Sequence, residues 1–153
     1  YRSFMPDLSV VETHELFFYH NQCRTTPDAA KKLQDKLDET TCLVGHNLKF
    51  DLQWLRECGF KYDGILWDTM IALSHRGIKK SISLAECAKR RSLPEKRTDL
   101  TDQYIKDKVS YEDMPPDIVR EYCIADVQTT TELAQAQLDE LKMLWPTEES
   151  SFV

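Results

Sequence analysis

Apolar residues fall into short runs and helical spacings along most of the chain. The runs at 42–45 and 65–69 are short, apolar and bounded by polar residues or glycine, which predicts a short buried strand at 42–45 and another strand at 65–69. The stretch 9–20 is dense in β-branched and aromatic residues and predicts one or two more. Leu33 and Leu37, at i and i+4, predict an amphipathic helix. Because strands and helical segments alternate, the pattern predicts an α/β fold.

Residues typical of helix ends indicate where the remaining helices begin and end. Gly59 and Gly77 each follow a helical pattern and are expected to end it. Ser83, with Glu86 three residues later, has the form of a capping box, and Pro116 is suited to the first turn of the longest helix. The predicted helices are 49–58, 70–75, a short one from 83, a short piece near 99–107 within an otherwise irregular 94–116, and 116–143.

Composition and charge narrow the class of protein. The chain has 153 residues, enough for one domain with its own core. Its net charge of -6 argues against a general nucleic-acid binder, but it does not exclude an enzyme that binds only the end of a nucleic-acid strand. The 5 cysteines are scattered singly, which indicates reduced thiols in a cytoplasmic protein. No apolar run is long enough to cross a bilayer, so we expect no membrane partner.

Two pairs of polar residues are candidates for one common site. Asn47 and Asp51 follow the strand at 42–45, and ligand sites of open α/β sheets lie beyond the carboxyl ends of strands. Tyr122 and Asp126 lie one turn apart on the last helix. Each pair also has a structural interpretation. Asn47 is then a turn residue and Asp51 a solvated first-turn carboxylate, while Tyr122 packs on the core and Asp126 faces solvent.

The same residues carry a resemblance to a known family. The segment GHNLKFD at 45–51 and the pair Tyr122-x-x-x-Asp126 resemble the second and third motifs of DEDD-superfamily 3′–5′ exonucleases of the tyrosine subtype. WDTM at 67–70 extends the likeness to the proofreading domains of phage and bacterial family A DNA polymerases. The resemblance spans about residues 42 to 143. It implies a ribonuclease H-like fold, with a mixed β-sheet flanked by helices.

The resemblance also implies roles for individual residues. Asp51 and Asp126 would be catalytic carboxylates that hold metal, with two Mg²⁺ or Mn²⁺ ions in a complete site. The hydroxyl of Tyr122 would orient the attacking water. The substrate would be a single-stranded DNA 3′ end, and the residues that would contact it are His46, Asn47 and Phe50.

One motif of that family is absent from the chain. The first motif is Asp-x-Glu on an early strand, and no Asp-x-Glu occurs here. The nearest sequence, VVET at 10–13, has Val10 in place of the aspartate. We therefore expect the strand that carries this motif to lie outside these residues.

Three functions are compatible with these observations. The first is a 3′–5′ exonuclease domain at 1–143, with a tail or linker at 144–153, that proofreads for a polymerase domain on the same or a partner chain. Its location would be the cytosol of a bacterium or of a phage-infected cell. The second is a catalytically inactive module of the same fold that binds nucleic acid or a protein partner, as absence of the first motif suggests. The third is a processing exoribonuclease, because the cleavage chemistry does not depend on the 2′-hydroxyl.

Overall fold

The computed structural model describes residues 14–18, 20–23, 26, 28–75, 77, 82–94 and 97–144, without the side chains of 142 and 144. The helices and the two short strands predicted from the sequence are confirmed, with small differences at their ends. In chain order the elements are helix α1 (Ala29–Glu39), strand β1 (Cys42–Gly45), helix α2 (Lys49–Glu57), strand β2 (Ile65–Asp68), helix α3 (Thr69–His75), helix α4 (Leu84–Arg91), a 3-10 turn (Thr98–Leu100), helix α5 (Asp102–Lys106) and helix α6 (Pro116–Leu144).

The two strands form a parallel pair, with Cys42 opposite Ile65 and Gly45 opposite Asp68. Parallel neighbours require a crossover, and α2 provides it. The chain therefore leaves both strands at the same edge of the sheet, where the turn after Gly45 lies beside Asp68. The α/β class is confirmed, and of the mixed sheet that we expected, the described residues contain this parallel pair.

The strands predicted over 9–20 are not found in the part of that stretch that the structure describes. Residues 14–18 have no regular secondary structure, and His20 forms only an isolated antiparallel bridge. The other residues of the stretch lie outside the described ranges. The aromatic side chains that raise strand propensity here are used in ring contacts instead. Phe18, for example, meets Trp54 edge to face at a centroid distance of 6.4 Å.

Several of the other elements pack against helix α6. It contacts β1, α3 and α4. Leu133 of α6 is fully buried in a cluster with Leu73 of α3 and Leu84 and Cys87 of α4. Burial of each such leucine stabilises the fold by ~2 kcal/mol. Although α6 is long, no helix among the described residues combines the length and the apolar character needed to span a membrane.

A buried histidine ties the segment 20–23 to the turn that precedes α6. Nδ1 of His20 accepts a hydrogen bond from the backbone N–H of Gln22 at 3.1 Å. Nε2 therefore carries the hydrogen, and it donates to the backbone carbonyl of Met114 at 3.0 Å. The backbone N–H of Asn21 donates to the carbonyl of Glu112 at 3.0 Å. The last two of these bonds link regions that are distant in sequence.

Candidate active site

The turn between β1 and α2 carries the first group of candidate residues. Asn47 has a φ of 63°, in the left-handed region that asparagine tolerates better than most residues. The turn role that we considered for Asn47 is therefore confirmed. Gly45 is closely packed, because a Cβ at this position would lie 2.5 Å from Cδ1 of the buried Leu48 and would force that side chain to move. The backbone of this turn is thus closely constrained.

The carboxylate of Asp68, at the end of β2, holds this turn in place. Its Oδ2 accepts a hydrogen bond from the backbone N–H of Leu48 at 2.8 Å. Its Oδ1 accepts from the N–H groups of Asn47 at 3.0 Å, Met70 at 2.9 Å and Ile71 at 3.3 Å. Met70 and Ile71 lie in the first turn of α3. A single carboxylate therefore caps α3 and also binds the amides that lead into α2.

Thr69 connects the same turn to the second strand through its hydroxyl group. The hydroxyl donates to the carbonyl of Gly45 at 3.1 Å, so its oxygen is the acceptor for Nδ1 of His46 at 2.8 Å. This arrangement places a hydrogen on Nδ1 of the imidazole. Thr69 is fully buried, and Nε2 of His46 is also shielded from solvent. The ring of His46 is therefore fixed by the junction between β2 and α3.

Asp51 is the third residue of α2 and is exposed, as expected for a solvated first-turn carboxylate. The surrounding protein removes part of the hydration of its carboxyl group, and this raises the pKa of Asp51 above its ordinary value. The negative charge of Asp68 raises the pKa further, whereas the Asp51 backbone N–H lowers it. The ionised form is thus disfavoured in the absence of a nearby positive charge. Phe50, its neighbour on α2, has a side chain that is 68% exposed.

Tyr122 and Asp126 occupy the N-terminal half of α6, one turn apart. Both are half-buried. The ring of Tyr122 lies against that of Tyr111, with centroids 6.0 Å apart and an interplanar angle of 33°. Oδ1 of Asp126 is shielded from solvent. The interpretation in which Asp126 simply faces solvent is therefore wrong.

The segment 14–18 contacts both of the helices that carry candidate residues. Phe18 meets Trp54, which lies one turn after Asp51 on α2. Glu15 accepts a hydrogen bond from Nε of Arg120 on α6 at 2.7 Å. Because α6 also packs against β1, the strand that leads to Asp51, the two halves of the candidate site belong to adjoining elements.

The acidic residues of this region fit a divalent cation in donor type. Carboxylate oxygens are the ligands that Mg²⁺ prefers, and a cation beside Asp51 would offset the cost of its charge. Within the ranges that the structure describes, however, no group of three or more His, Cys, Asp or Glu side chains could hold a metal ion. Asp51 and Asp126 therefore supply suitable oxygens but not a complete set of ligands.

Two basic residues near the site were not singled out from the sequence. Lys49 and Arg56 of α2 line a groove of about 520 Å³ that also borders Asp68. Their spacing of i and i+7 places them on one face of α2, which is the signal that could have identified them. The importance of Thr69 was also missed, although Asp-Thr directly after a strand is typical of a helix start.

Comparison with known proteins bears on the same residues. The family model DNA_pol_A_exo1, described as 3′–5′ exonuclease, matches residues 10–142. The matched range includes both motif segments and the junction between β2 and α3. No curated protein and no solved structure gives a significant match to the chain.

Proposed function

The chain belongs to the 3′–5′ exonuclease family typified by the proofreading domains of family A DNA polymerases, and on this premise we propose that it removes nucleotides one at a time from a single-stranded DNA 3′ end. We also propose that residues 1–143 form the nuclease domain and that it proofreads for a DNA polymerase domain. The observation that carries the proposal is the placement of the motif residues. Asp51 lies beyond the carboxyl end of β1, and α6, with Tyr122 and Asp126, packs against that strand.

The proposed reaction is attack of water on the terminal phosphodiester, in line with the leaving 3′ oxygen. Asp51 and Asp126 would hold Mg²⁺ or Mn²⁺ together with further carboxylates of the family's first motif. Two such ions lower the pKa of the attacking water and stabilise charge on the leaving oxygen. The Tyr122 hydroxyl would orient the water by a hydrogen bond. A phenol is a poor base at neutral pH, so its contribution is positioning.

Residues around the β1–α2 turn would bind the strand end. The exposed ring of Phe50 can stack on the terminal base, because such stacking requires only an accessible aromatic face. Lys49 and Arg56 are suited to phosphate contacts next to the turn. His46 and Asn47 would contact the terminal nucleotide from a backbone that Asp68 and Thr69 hold in place.

A second candidate function is an inactive module of the same fold that only binds nucleic acid. It is favoured by one observation, namely that the described residues provide no group of three ligands for a metal ion. The two candidates differ in a measurable way. The enzyme cleaves DNA only when a divalent cation is present. The binding module binds single-stranded nucleic acid without a divalent cation and does not cleave it.

The test is a cleavage assay on a 5′-labelled single-stranded DNA oligonucleotide with Mg²⁺ or Mn²⁺, and with a chelator as the metal-free control. We expect a ladder of products that shorten from the 3′ end. Asp126→Ala should abolish the ladder, and Asp139→Ala, an exposed aspartate on the same helix, should not. DNA binding without cleavage in either metal would favour the inactive module. Preferential cleavage of an RNA oligonucleotide would instead indicate the exoribonuclease.

A further inference from the structure

We propose that Asp68 is a positioning residue for Asp51: its carboxylate fixes the turn 46–48 and, through it, the first turn of α2. This inference rests on the proposed function, in which Asp51 is a catalytic carboxylate. Asp68 itself would not contact the substrate. Its positioning effect would be transmitted through the backbone of the turn.

The hydrogen bonds of Asp68 divide into two sets with different consequences. The bonds from Met70 and Ile71 cap α3, as an aspartate before a helix commonly does. The bonds from Asn47 and Leu48 reach across the sheet to the neighbouring strand connection, 21 and 20 residues away in sequence. The second set is not needed to form α3. It fixes the position of α2 relative to β2.

Besides the Thr69 bonds to Gly45 and His46, the turn depends on Asp68 to hold its conformation. Asn47 adopts a left-handed φ, which is less favourable for a side-chain-bearing residue than the right-handed region. Leu48 occupies the N-cap position of α2 and provides no side-chain acceptor for the amides of the first turn. Asp51 lies only three residues beyond Leu48, less than one turn of helix. A displacement at 47–48 is therefore passed to Asp51 almost undiminished.

The junction between β2 and α3, which carries Asp68, is itself held in place by several contacts. Asp68 pairs with Gly45 in the parallel register, and the fully buried Thr69 follows it directly. The carbonyl of Thr69 accepts a hydrogen bond at 2.9 Å from Gln137, so this junction is attached to α6. Helix α6 also carries Asp126. Through Asp68, the start of α2 is therefore held in position relative to α6.

Asp68→Ser separates the two roles of the carboxylate. A serine oxygen can still cap α3, but one short hydroxyl cannot also accept from Asn47 and Leu48. We expect the single-turnover cleavage rate of the full chain to fall by roughly 10- to 100-fold, as small misplacements of catalytic groups do. The affinity for single-stranded DNA, measured with a chelator present, should stay within about twofold, since Asp68 makes no substrate contact.

The matched control is Ser83→Ala, which removes the N-cap of α4, where the serine side chain accepts from the N–H of Glu86. It should lower the melting temperature and leave the cleavage rate unchanged. Rates are compared at equal intervals below each melting temperature. Equal rate losses in the two variants would overturn the proposal and reduce Asp68 to an ordinary helix cap.

A second measurement does not depend on activity. In NMR spectra of the metal-free protein, Asp68→Ser should move the backbone amide resonances of Leu48 and of Asp51, and Ser83→Ala should move neither. If the wild-type chain does not cut DNA, the proposed function fails and these resonances still decide the positioning role. Unchanged Asp51 resonances in Asp68→Ser would refute it, as would retention of the Leu48 shift. If the serine variant does not fold, Asp68→Asn, which removes the Oδ2 acceptor of the Leu48 amide and keeps Oδ1, tests the same two resonances.

Discussion

The side-chain amide of Gln137 donates a hydrogen bond to the backbone carbonyl of Thr69 at 2.9 Å. Its oxygen accepts from Nε1 of Trp67 at 3.1 Å. Gln137 is 3% exposed, so water does not readily replace either partner. One polar side chain in the interior therefore joins the end of β2 to α6, and the relative position of the sheet and the last helix depends on it.

Gln137→Leu should destabilise the protein. It keeps a similar volume but leaves a buried carbonyl and an indole N–H without their partner, which costs ~2 kcal/mol for the two bonds. Urea unfolding followed by tryptophan fluorescence measures the change. The control is Gln135→Leu on the same helix. The side-chain amide of Gln135 donates to the exposed Asp139, so this change should alter the free energy of unfolding by less than ~0.5 kcal/mol. Equal losses would mean that the buried bonds contribute little.

Tyr122→Phe should lower the single-turnover cleavage rate by about 10- to 1000-fold, because the phenol hydroxyl that orients water is lost. The affinity for DNA should remain nearly unchanged, since the ring and its contact with Tyr111 survive. Rapid-quench kinetics on a labelled oligonucleotide gives both quantities. Tyr111→Phe, which keeps the ring pair but alters the other hydroxyl, should cut at the wild-type rate. A normal rate in Tyr122→Phe would leave Tyr122 with a packing role only.

Asp51→Asn should raise the melting temperature of the metal-free protein at neutral pH. The pKa of Asp51 is raised in the fold, so its contribution to stability is complete below the ordinary value of 3.8 and is lost as the pH rises through the raised pKa. The asparagine variant avoids that loss. The difference from wild type should therefore disappear near pH 3.

Thermal melts between about pH 3 and pH 8, with a chelator present, test this expectation. Asp63→Asn, at an exposed aspartate before β2, is the control and should show no comparable gain at neutral pH. Addition of Mn²⁺ should stabilise the wild-type protein more than Asp51→Asn. A neutral-pH melting temperature lower in Asp51→Asn than in wild type would contradict the expectation.

His20→Ala should detach the segment 20–23 from the turn before α6. The change removes the bonds to Gln22 and Met114 and opens space around a residue that is 8% exposed, so we expect a loss of ~2 kcal/mol or more. Differential scanning calorimetry measures it. His75→Ala, at an exposed histidine in the last turn of α3, should have little effect. Similar melting temperatures for the two variants would show that the His20 bonds are dispensable.

Local signals in the sequence were sufficient for most helix ends. Gly59 and Gly77 have positive φ values of 87° and 80° and follow the helices that they were expected to end. The Ser83 side chain accepts from the N–H of Glu86. These features depend on neighbours within a turn, so spacing alone predicts them. The motif residues are similar, since Asn47, Asp51, Tyr122 and Asp126 were identified from short-range patterns.

Features that depend on tertiary contacts were not predictable in this way. The four amides on Asp68 come from the β1–α2 turn and from the first turn of α3, and only the parallel register of β1 and β2 brings them together. The bond from His20 to Met114 joins residues 94 positions apart. The aromatic residues of 14–18 have high strand propensity, but their ring contacts determine their conformation. The catalytic and binding roles of the motif residues stay predictions.

Helix α6 has a consequence for motion at the site. Its 29 residues form one uninterrupted rod, about 43 Å long at 1.5 Å per residue. Tyr122 and Asp126 lie in its first half, and the buried anchors Leu133 and Gln137 lie in its second. Opening of the site by movement of α6 would disturb the core at the other end of the same rod. Movement on the time scale of substrate entry is therefore expected in the segment 14–18, while α6 stays in place.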